Sequence, residues 1–256
     1  MNDTFQRNEL YWGADFQKEL SKKHVVVVGL GGVGGYALDA LARAGAGKFT
    51  LVDFDSYDSS NINRQLLALN STLTRKKTGL FKDRLKDINP DVEVEVFDEF
   101  YTQALNEKLF ARKADFVVDA IDTLRSKVEL IDYCYNKPLP IISSLGTGNR
   151  INPEKLRICD ISEFKARDSF AKNVVSKLKK LSITRDLPVV VSFERAHSLQ
   201  KVENREKIIL KNKEVLEFTK FSPSSTPFVP PVAGYLMASY IVRSWHEKFL
   251  NLGTVI

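Results

Sequence analysis

Short apolar runs rich in β-branched residues recur along the first 150 residues, and stretches with helical spacing of apolar positions separate them. Such runs predict strands, and those at 24–29 and 114–120 predict buried ones, because strands covered on both faces read as nearly continuous hydrophobic segments. The predicted strands are 24–29, 48–53, 92–97, 114–120 and 140–144. The predicted helices are about 33–44, 72–88, 103–111 and 124–135. Strands that alternate with helices in this way predict an α/β fold with a mostly parallel sheet and helices on both faces.

Beyond residue 150 the alternation weakens, and we expect a smaller C-terminal subregion that packs on the first part and carries a basic insertion. The predicted division is a core with an N-terminal arm over 1–150 and a second region over 151–256. The last clear element begins at Pro230-Pro231, where proline is tolerated in a first helical turn. From Val232 to Val242 this helix is apolar nearly all round, which indicates a buried helix or a subunit interface.

The first predicted strand runs into a glycine-rich segment, Gly29-Leu-Gly31-Gly32-Val-Gly34, which contains the pattern G-x-G-x-x-G and leads into a helix. In that context the pattern is typical of a Rossmann-like nucleotide site, because glycines let phosphates approach the N–H groups at a helix N-terminus. Asp53, at the end of the next strand, is placed to accept hydrogen bonds from ribose hydroxyls. The sequence therefore predicts a nucleotide with an adenosine half.

Polar residues just beyond the strand ends help to identify the nucleotide that this site binds. Arg64 follows the second strand, Lys77 lies early in the next helix, and Asp122 follows the fourth strand. A triphosphate requires cations and a carboxylate that can hold a metal, whereas NAD requires a nicotinamide pocket and usually a proton donor. Each residue also has a structural alternative, since Arg64 can cap a loop, Lys77 can be solvated and Asp122 can begin the helix at 124.

Composition excludes several classes of protein. The chain has 256 residues, of which 43% are hydrophobic and 27% charged, as in globular proteins. We expect no membrane span and a cytoplasmic protein, because no window approaches the roughly 18 consecutive apolar residues of a span and the first strand follows no apolar signal segment. Two cysteines without a C-x-x-C pair and three scattered histidines argue against zinc.

Basic residues concentrate in one segment. The chain carries 38 Lys and Arg against 32 Asp and Glu, a formal charge of +6. Between residues 165 and 185 seven residues are basic and one is acidic, which leaves 31 against 31 elsewhere. Such a cluster predicts a polyanionic partner, with a solvated helix face as the alternative. The candidate nucleic-acid-binding residues are Lys165, Arg167, Lys172, Lys177, Lys179, Lys180 and Arg185.

The sequence resembles the ThiF-like adenylate-forming family in four motifs: G-L-G-G-V-G-G, L-V-D-F-D, S-S-N-I-N-R-Q and D-A-I-D. This family includes the ubiquitin-activating-like enzymes and the adenylyltransferases of molybdopterin and thiamine synthesis. The resemblance runs from about residue 5 to residue 245. It implies ATP and Mg²⁺ rather than NAD, a homodimer, and activation of a carboxylate as an acyl-adenylate.

Carried over by position, the resemblance implies roles for individual residues. Gly32 would contact phosphate, Asp53 would hold the ribose and Asp122 would position Mg²⁺. The segment F-Q-R-N-E-L resembles the arm whose arginine reaches the partner subunit's site, which makes Arg7 a candidate. The candidate nucleotide-binding residues are Gly29, Gly31, Gly32, Gly34, Asp53, Asp55, Asn61, Arg64, Lys77 and Asp122, and the candidate catalytic residues are Asp122, Arg64, Lys77 and Arg7.

Two further features resemble one branch of the family, the tRNA threonylcarbamoyladenosine dehydratases: the ending F-V-P-P-V-A-G at 228–234 and the basic insertion. That branch implies tRNA as partner and ATP-dependent cyclisation of the modified adenosine through its threonyl carboxylate. The alternative is an adenylyltransferase for the C-terminal carboxylate of a ubiquitin-like sulfur carrier, although the two C-x-x-C pairs of those enzymes are missing here. The sequence leaves open whether phosphorylation replaces adenylation, whether a monovalent cation binds, and whether cysteine-desulfurase or sulfur-acceptor proteins are partners.

Overall fold

A computed structural model of the chain describes residues 3–197, 202–209 and 215–253. The strands are β1 (His24–Val28), β2 (Lys48–Val52), β3 (Glu93–Phe97), β4 (Phe116–Asp119), β5 (Ile141–Ser144), β6 (Leu156–Asp160), β7 (Pro188–Ser192), β8 (Val202–Ile209) and β9 (Val215–Ser222). The α-helices are α1 (Gln6–Trp12), α2 (Ala14–Leu20), α3 (Gly34–Ala44), α4 (Lys77–Ile88), α5 (Asn106–Leu109), α6 (Leu124–Asn136), α7 (Ser169–Lys180) and α8 (Val229–Gly253).

The first seven strands form one sheet in the order β3-β2-β1-β4-β5-β7-β6, while β8 and β9 form a separate antiparallel hairpin. All neighbours in the large sheet are parallel except β6, which runs antiparallel to β7. The predicted α/β fold with a mostly parallel sheet is therefore confirmed. Because β6 and β7 lie beyond residue 150, the sheet continues across the proposed division of the chain, and that division stays a prediction.

Helices cover both faces of this sheet. In β1, Val25 and Val27 pack into a core formed with α2, α3, α4 and α8. The alternate residues Val26 and Val28 pack into a second core formed with α5, α6 and α7. Every residue of β1 is thus buried, which is why Val25–Val28 read as an unbroken apolar run in the sequence.

The apolar C-terminal helix, α8, lies against α3 beside the glycine-rich loop. Its first turn contains Pro230 and Pro231, as the sequence predicts. At Gly234, a Cβ atom would lie 2.4 Å from the carbonyl oxygen of Val33 and 2.8 Å from the amide nitrogen of Ala37. The two helices can approach this closely only because Gly234 has no side chain. Among the helices in the described ranges, α8 included, none is long and apolar enough to cross a membrane.

The fourth helix begins later than its periodicity indicates. Instead of starting near residue 72, α4 starts at Lys77, after a short 3-10 turn at Asn70–Thr72. Thr74 has a φ of 66° and Lys76 is extended, so the chain changes direction between the turn and the helix. As a result, Lys77 stands in the first turn of α4 and close to the end of β2.

Candidate active site

Three loops meet at the carboxyl edge of the sheet around β1. Because β1 pairs in register with both neighbours, Val28 lies opposite Val52 on one side and Asp119 on the other. The glycine-rich loop after β1 therefore lies between the turn that carries Asp53 and the turn that carries Asp122. The chain connections diverge between β1 and β4, and such a switch point is where open α/β sheets bind their ligands.

The glycines of this loop serve different purposes. A Cβ atom at Gly34 would lie 1.8 Å from the carbonyl oxygen of Gly29, and one at Gly29 would lie 2.8 Å from that of Ala120. Gly29 also has a φ of 91°, in the left-handed region. At Gly31, in contrast, the nearest atom would be Nε2 of Gln65 at 3.8 Å. Gly29 and Gly34 are thus required by packing, whereas Gly31 leaves the loop open for a ligand.

On the β2 side, a group of charged residues is held in place. The Asp53 carboxylate is buried and accepts hydrogen bonds from the N–H of Leu30 at 2.6 Å and the N–H of Asp55 at 2.8 Å. Burial raises the pKa of Asp53, and the nearby Lys77 acts in the opposite direction. Lys77 is buried as well, and its Nζ donates to Oδ2 of Asp55 at 2.9 Å. Asp53 ties the glycine-rich loop to β2, and its oxygens keep lone pairs for a ribose hydroxyl.

On the β4 side, Arg64 and Asp122 lie within electrostatic reach of each other. A Cβ atom at Gly32 would lie 3.3 Å from the carbonyl oxygen of Arg64, so Arg64 borders the glycine-rich loop. Burial lowers the pKa of the Arg64 guanidinium, and the Asp122 carboxylate opposes that shift. Asn61, in the same loop, accepts a hydrogen bond from the N–H of Asp58 at 3.2 Å. The structure therefore brings the predicted residues of both sides together around one loop, and their contacts with nucleotide stay a prediction.

Beneath the Asp122 turn lies a buried network that the sequence patterns did not single out. Lys127 and Asp119 are both 0% exposed, and Nζ of Lys127 donates to Oδ2 of Asp119 at 2.6 Å. The Ser143 hydroxyl donates to the same oxygen at 2.6 Å and accepts from Lys127 at 3.2 Å. The other oxygen of Asp119 accepts from the N–H of Ile121 at 3.1 Å. The network thus fixes the turn that leads to Asp122.

Lys127 could have been found from its spacing. It stands three residues after Leu124 and four before Ile131, on the apolar face of the predicted helix. A lysine in that position is almost never fully buried without a partner. Burial lowers the pKa of Lys127, and the opposing effect comes from Asp119, which the sequence places at the end of the preceding strand.

Arg7 does not join these residues within one chain. It is exposed on α1, and the N-terminal arm is attached at the C-terminal end of α3, where Asn8 donates to the carbonyl oxygen of Arg43 at 2.8 Å. Gln17 donates to the carbonyl oxygen of Ala44 at 3.1 Å. The 11 residues of α3, about 16 Å of helix, separate this attachment from the glycine-rich loop.

All seven predicted nucleic-acid-binding residues between 165 and 185 are exposed, and the surface that they form is here called the α7 basic surface. The acidic residue of the segment, Asp168, caps α7 by accepting from the N–H of Ala171 at 2.9 Å. Its second oxygen pairs with Arg150, whose side chain is 3% exposed. The negative charge is therefore used to hold the helix, and the positive charges are left at the surface.

Metal donors are sparse in the described residues, which contain no cluster of three or more His, Cys, Asp or Glu that could hold a metal ion. Mg²⁺ does not need one, because it is usually bound by one or two carboxylates together with substrate phosphates. Asp122, an exposed carboxylate at the sheet edge, fits that mode of binding. Neither Cys134 nor Cys159 forms a disulfide, and burial raises the pKa of both thiols.

Comparison with known proteins assigns the chain to a family. The sequence profile of the ThiF family matches residues 5–183. Over 238 residues the chain is 40% identical to the tRNA threonylcarbamoyladenosine dehydratase of Bacillus subtilis (strain 168), covering 93% of this chain and 92% of that protein. It is 33% identical to the sulfur carrier protein ThiS adenylyltransferase of Escherichia coli (strain K12) over 139 residues, 54% of this chain and 55% of that protein.

Among solved structures, the crystal structure of E. coli tRNA N6-threonylcarbamoyladenosine dehydratase in complex with ATP matches with a TM-score of 0.84 and 26% identity. The match covers 97% of this chain and 96% of that chain. The resemblance seen in the motifs is thereby confirmed. With a profile match over more than half of its length and the glycine-rich loop at the switch point of the sheet, the chain belongs to the ThiF family.

Proposed function

We propose that the protein is an ATP-dependent dehydratase that cyclises threonylcarbamoyladenosine in tRNA. The observation that carries this proposal is that one chain combines a nucleotide site at the sheet edge with the exposed α7 basic surface. Similarity over nearly the whole length to the B. subtilis and E. coli dehydratases supports it. A phosphate-binding loop alone would fit any member of the family, whereas the basic surface calls for a polyanionic substrate.

ATP occupies the crevice above β1. Its phosphates lie against Gly31 and Gly32 and the N-terminus of α3, where unpaired N–H groups and the helix dipole favour negative charge. Its ribose binds beside Asp53, while Lys77 and Arg64 face the phosphates from the two sides of the loop. Asp122 would hold Mg²⁺, which would supply positive charge to offset part of the charge of the triphosphate.

The reaction joins two anions, so the task of these residues is to neutralise charge. A carboxylate oxygen of the threonyl group attacks the α-phosphorus of ATP, and pyrophosphate leaves. A urea nitrogen of the same modified side chain then attacks the acyl carbon, AMP leaves, and the nitrogen loses its proton. The net change in the nucleoside is the loss of one water. Intramolecular attack of this kind reaches effective molarities on the order of 10⁵ M or more, so no covalent enzyme intermediate is needed.

A second copy of the chain completes the site. Arg7 is exposed and adjoins Asn8, which is bound at the far end of α3 from the chain's own glycine-rich loop, so in this proposal Arg7 serves the loop of another subunit. On the same helix, Leu10 and Tyr11 are each 83% exposed and provide apolar surface for that contact. The active form in this proposal is therefore a homodimer.

The test is mass spectrometry of nucleosides after incubating the protein, ATP and Mg²⁺ with tRNA that carries threonylcarbamoyladenosine. We expect the modified nucleoside to lose the mass of one water in an ATP-dependent manner, and Asp122→Ala to abolish the change. A protein that binds ATP but leaves the nucleoside mass unchanged would refute the proposal.

The second candidate is adenylation of a carrier protein's C-terminal carboxylate. It is supported by the 33% identity to the E. coli ThiS adenylyltransferase, which covers only 54% of this chain. Pyrophosphate exchange that requires a carrier protein and proceeds without RNA would favour it over the tRNA reaction.

A further inference from the structure

A second pocket lies at the same edge of the sheet as the nucleotide site. It has a volume of about 270 Å³ and is lined by Lys155, Arg157 and Phe193, where β6 begins and β7 ends. Because β7 runs parallel to β5 and β5 to β4, its end points to the same side as the end of β4. Two strand spacings, about 10 Å, separate β4 from β7. A single RNA loop can therefore reach this pocket and the Asp122 turn at once.

The aromatic ring in the pocket is exposed and yet fixed. Phe193 is 37% exposed. Its ring meets the buried Phe164 edge-on, with centroids 6.4 Å apart and an interplanar angle of 81°. Arg167 places its guanidinium carbon 5.7 Å from the ring centroid and donates to the carbonyl oxygen of Phe193 at 3.2 Å. The ring is thus oriented from two sides before any ligand arrives.

Positive charge surrounds this ring. The N–H of Phe193 donates to the carbonyl oxygen of Lys155 at 2.9 Å, which continues the β6–β7 ladder and sets Lys155 opposite Phe193. Arg157 is two residues further along β6 and hence on the same face of the strand. Its Nη1 donates to two backbone carbonyl oxygens of its own segment, each at 2.7 Å, so its guanidinium is held. The carboxylate of Glu194 is turned to other partners, the N–H groups of residues 151 and 152.

We infer that this pocket, the Phe193 pocket, binds an unpaired base of the tRNA substrate, with the base stacked on Phe193 and the flanking phosphates near Lys155, Arg157 and Arg167. The inference rests on the proposed function. An exposed aromatic ring among cations is how proteins hold single-stranded nucleic acid, because every base has a face that can stack. The exposed lysines of α7 are suited to phosphate contacts, which duplex and loop share. The Phe193 pocket therefore gives the α7 basic surface a preference for a single-stranded loop.

The experiment uses the full-length protein and an anticodon stem–loop RNA that carries threonylcarbamoyladenosine with 2-aminopurine beside it. Stacking on Phe193 should lower the 2-aminopurine emission on binding to the native protein. Phe193→Ala and Phe193→Leu should remove that quenching and weaken RNA binding by about 5- to 150-fold, the loss of one stacked base. Phe193→Trp should retain both. Leu250→Ala, which alters a side chain 54% exposed near the end of α8, is the matched control and should behave as native.

A second RNA, of equal length but with an abasic loop, separates stacking from charge. It should bind the native protein and Phe193→Leu equally, and ATP affinity should be the same in all variants. If the native protein binds and converts the RNA but Phe193→Leu binds it equally well, the inference fails while the proposed function stands. If Phe193→Leu weakened binding of the abasic RNA as much as binding of the RNA with an intact loop, stacking on Phe193 would also be refuted. If the native protein neither binds nor converts any RNA, both fail.

Discussion

The nucleotide site and the α7 basic surface both carry ionic groups, but the two regions use them in opposite ways. Beside the glycine-rich loop, Asp53 and Lys77 are buried and hydrogen-bonded: Asp53 accepts from two backbone N–H groups, and Lys77 donates to Asp55. On the α7 basic surface all seven cations are exposed. Burying a charge costs several kcal/mol unless its partners are well placed, whereas an exposed charge costs little and is screened by salt.

This difference indicates what each region recognises. Fixed charges define one geometry, which suits a small ligand whose phosphates and ribose must be aligned for reaction. Exposed lysines create a positive electrostatic potential over the surface without fixing the position of each contact. Such a surface suits a long polyanion that can shift along it. The pair of Arg150 with Asp168 is the exception on the α7 side, because there a largely buried ion pair joins Arg150 to the residue that caps the helix.

Replacing a lysine with methionine in each of the two regions should give the largest difference in the free energy of unfolding. Lys127→Met should lower the free energy of unfolding by about 3–5 kcal/mol, because it leaves the buried Asp119 carboxylate without its ion-pair partner. Lys180→Met, on the exposed side of α7, should change it by no more than about 0.5 kcal/mol. Urea unfolding of the two variants measures both values. Similar losses of unfolding free energy in the two variants would mean that burial does not distinguish the nucleotide site from the α7 basic surface.

The largest effect on catalysis should come from Asp122→Asn. Removing this carboxylate should lower the rate of product formation by about 10²- to 10³-fold, as for other groups that stabilise charge in the transition state. Because Asp122 is exposed, the unfolding free energy should stay within about 0.5 kcal/mol of the native value. Single-turnover conversion of modified tRNA gives the rate, and urea unfolding gives the stability. A rate within a few-fold of native would contradict the assigned role.

Two glycines separate folding from binding within the loop itself. Gly34→Ala places a Cβ atom 1.8 Å from the carbonyl oxygen of Gly29 and should destabilise the protein by at least about 1–3 kcal/mol. Gly31→Ala meets no atom closer than 3.8 Å and should leave stability nearly unchanged while it weakens ATP binding. Thermal unfolding with titrated ATP distinguishes them, since only a protein that binds ATP gains stability from it. An alanine at position 31 with native ATP affinity would mean that phosphates do not approach there.

The sequence predicted the elements whose pattern is local. The strands before residue 150, the glycine-rich loop and the helix from Pro230 were found, because each depends on residues close in the chain, whereas β6 and β7 were not predicted. What it missed depends on pairing between distant segments. Lys127 gains its partners Asp119 and Ser143 only when α6, β4 and β5 pack together. Phe193 likewise gains its neighbours Arg167 and Phe164 only when distant segments of the chain pack together. The late start of α4 follows from the left-handed Thr74, which no apolar spacing reveals.

The smallest effects should come from single lysines of the α7 basic surface. Lys172→Gln and Lys179→Gln should each weaken tRNA binding only modestly and reduce the slope of log K against log salt by about 1, since each removes one phosphate contact. ATP affinity should not change, because neither residue contributes to the nucleotide site. Titrations at several salt concentrations measure the slope, and Lys248→Gln near the end of α8 is the control that should leave it unchanged. If all three variants kept the slope of the native protein, the cations of α7 would be a solvated helix face. The polyanion would then have to bind elsewhere on the molecule.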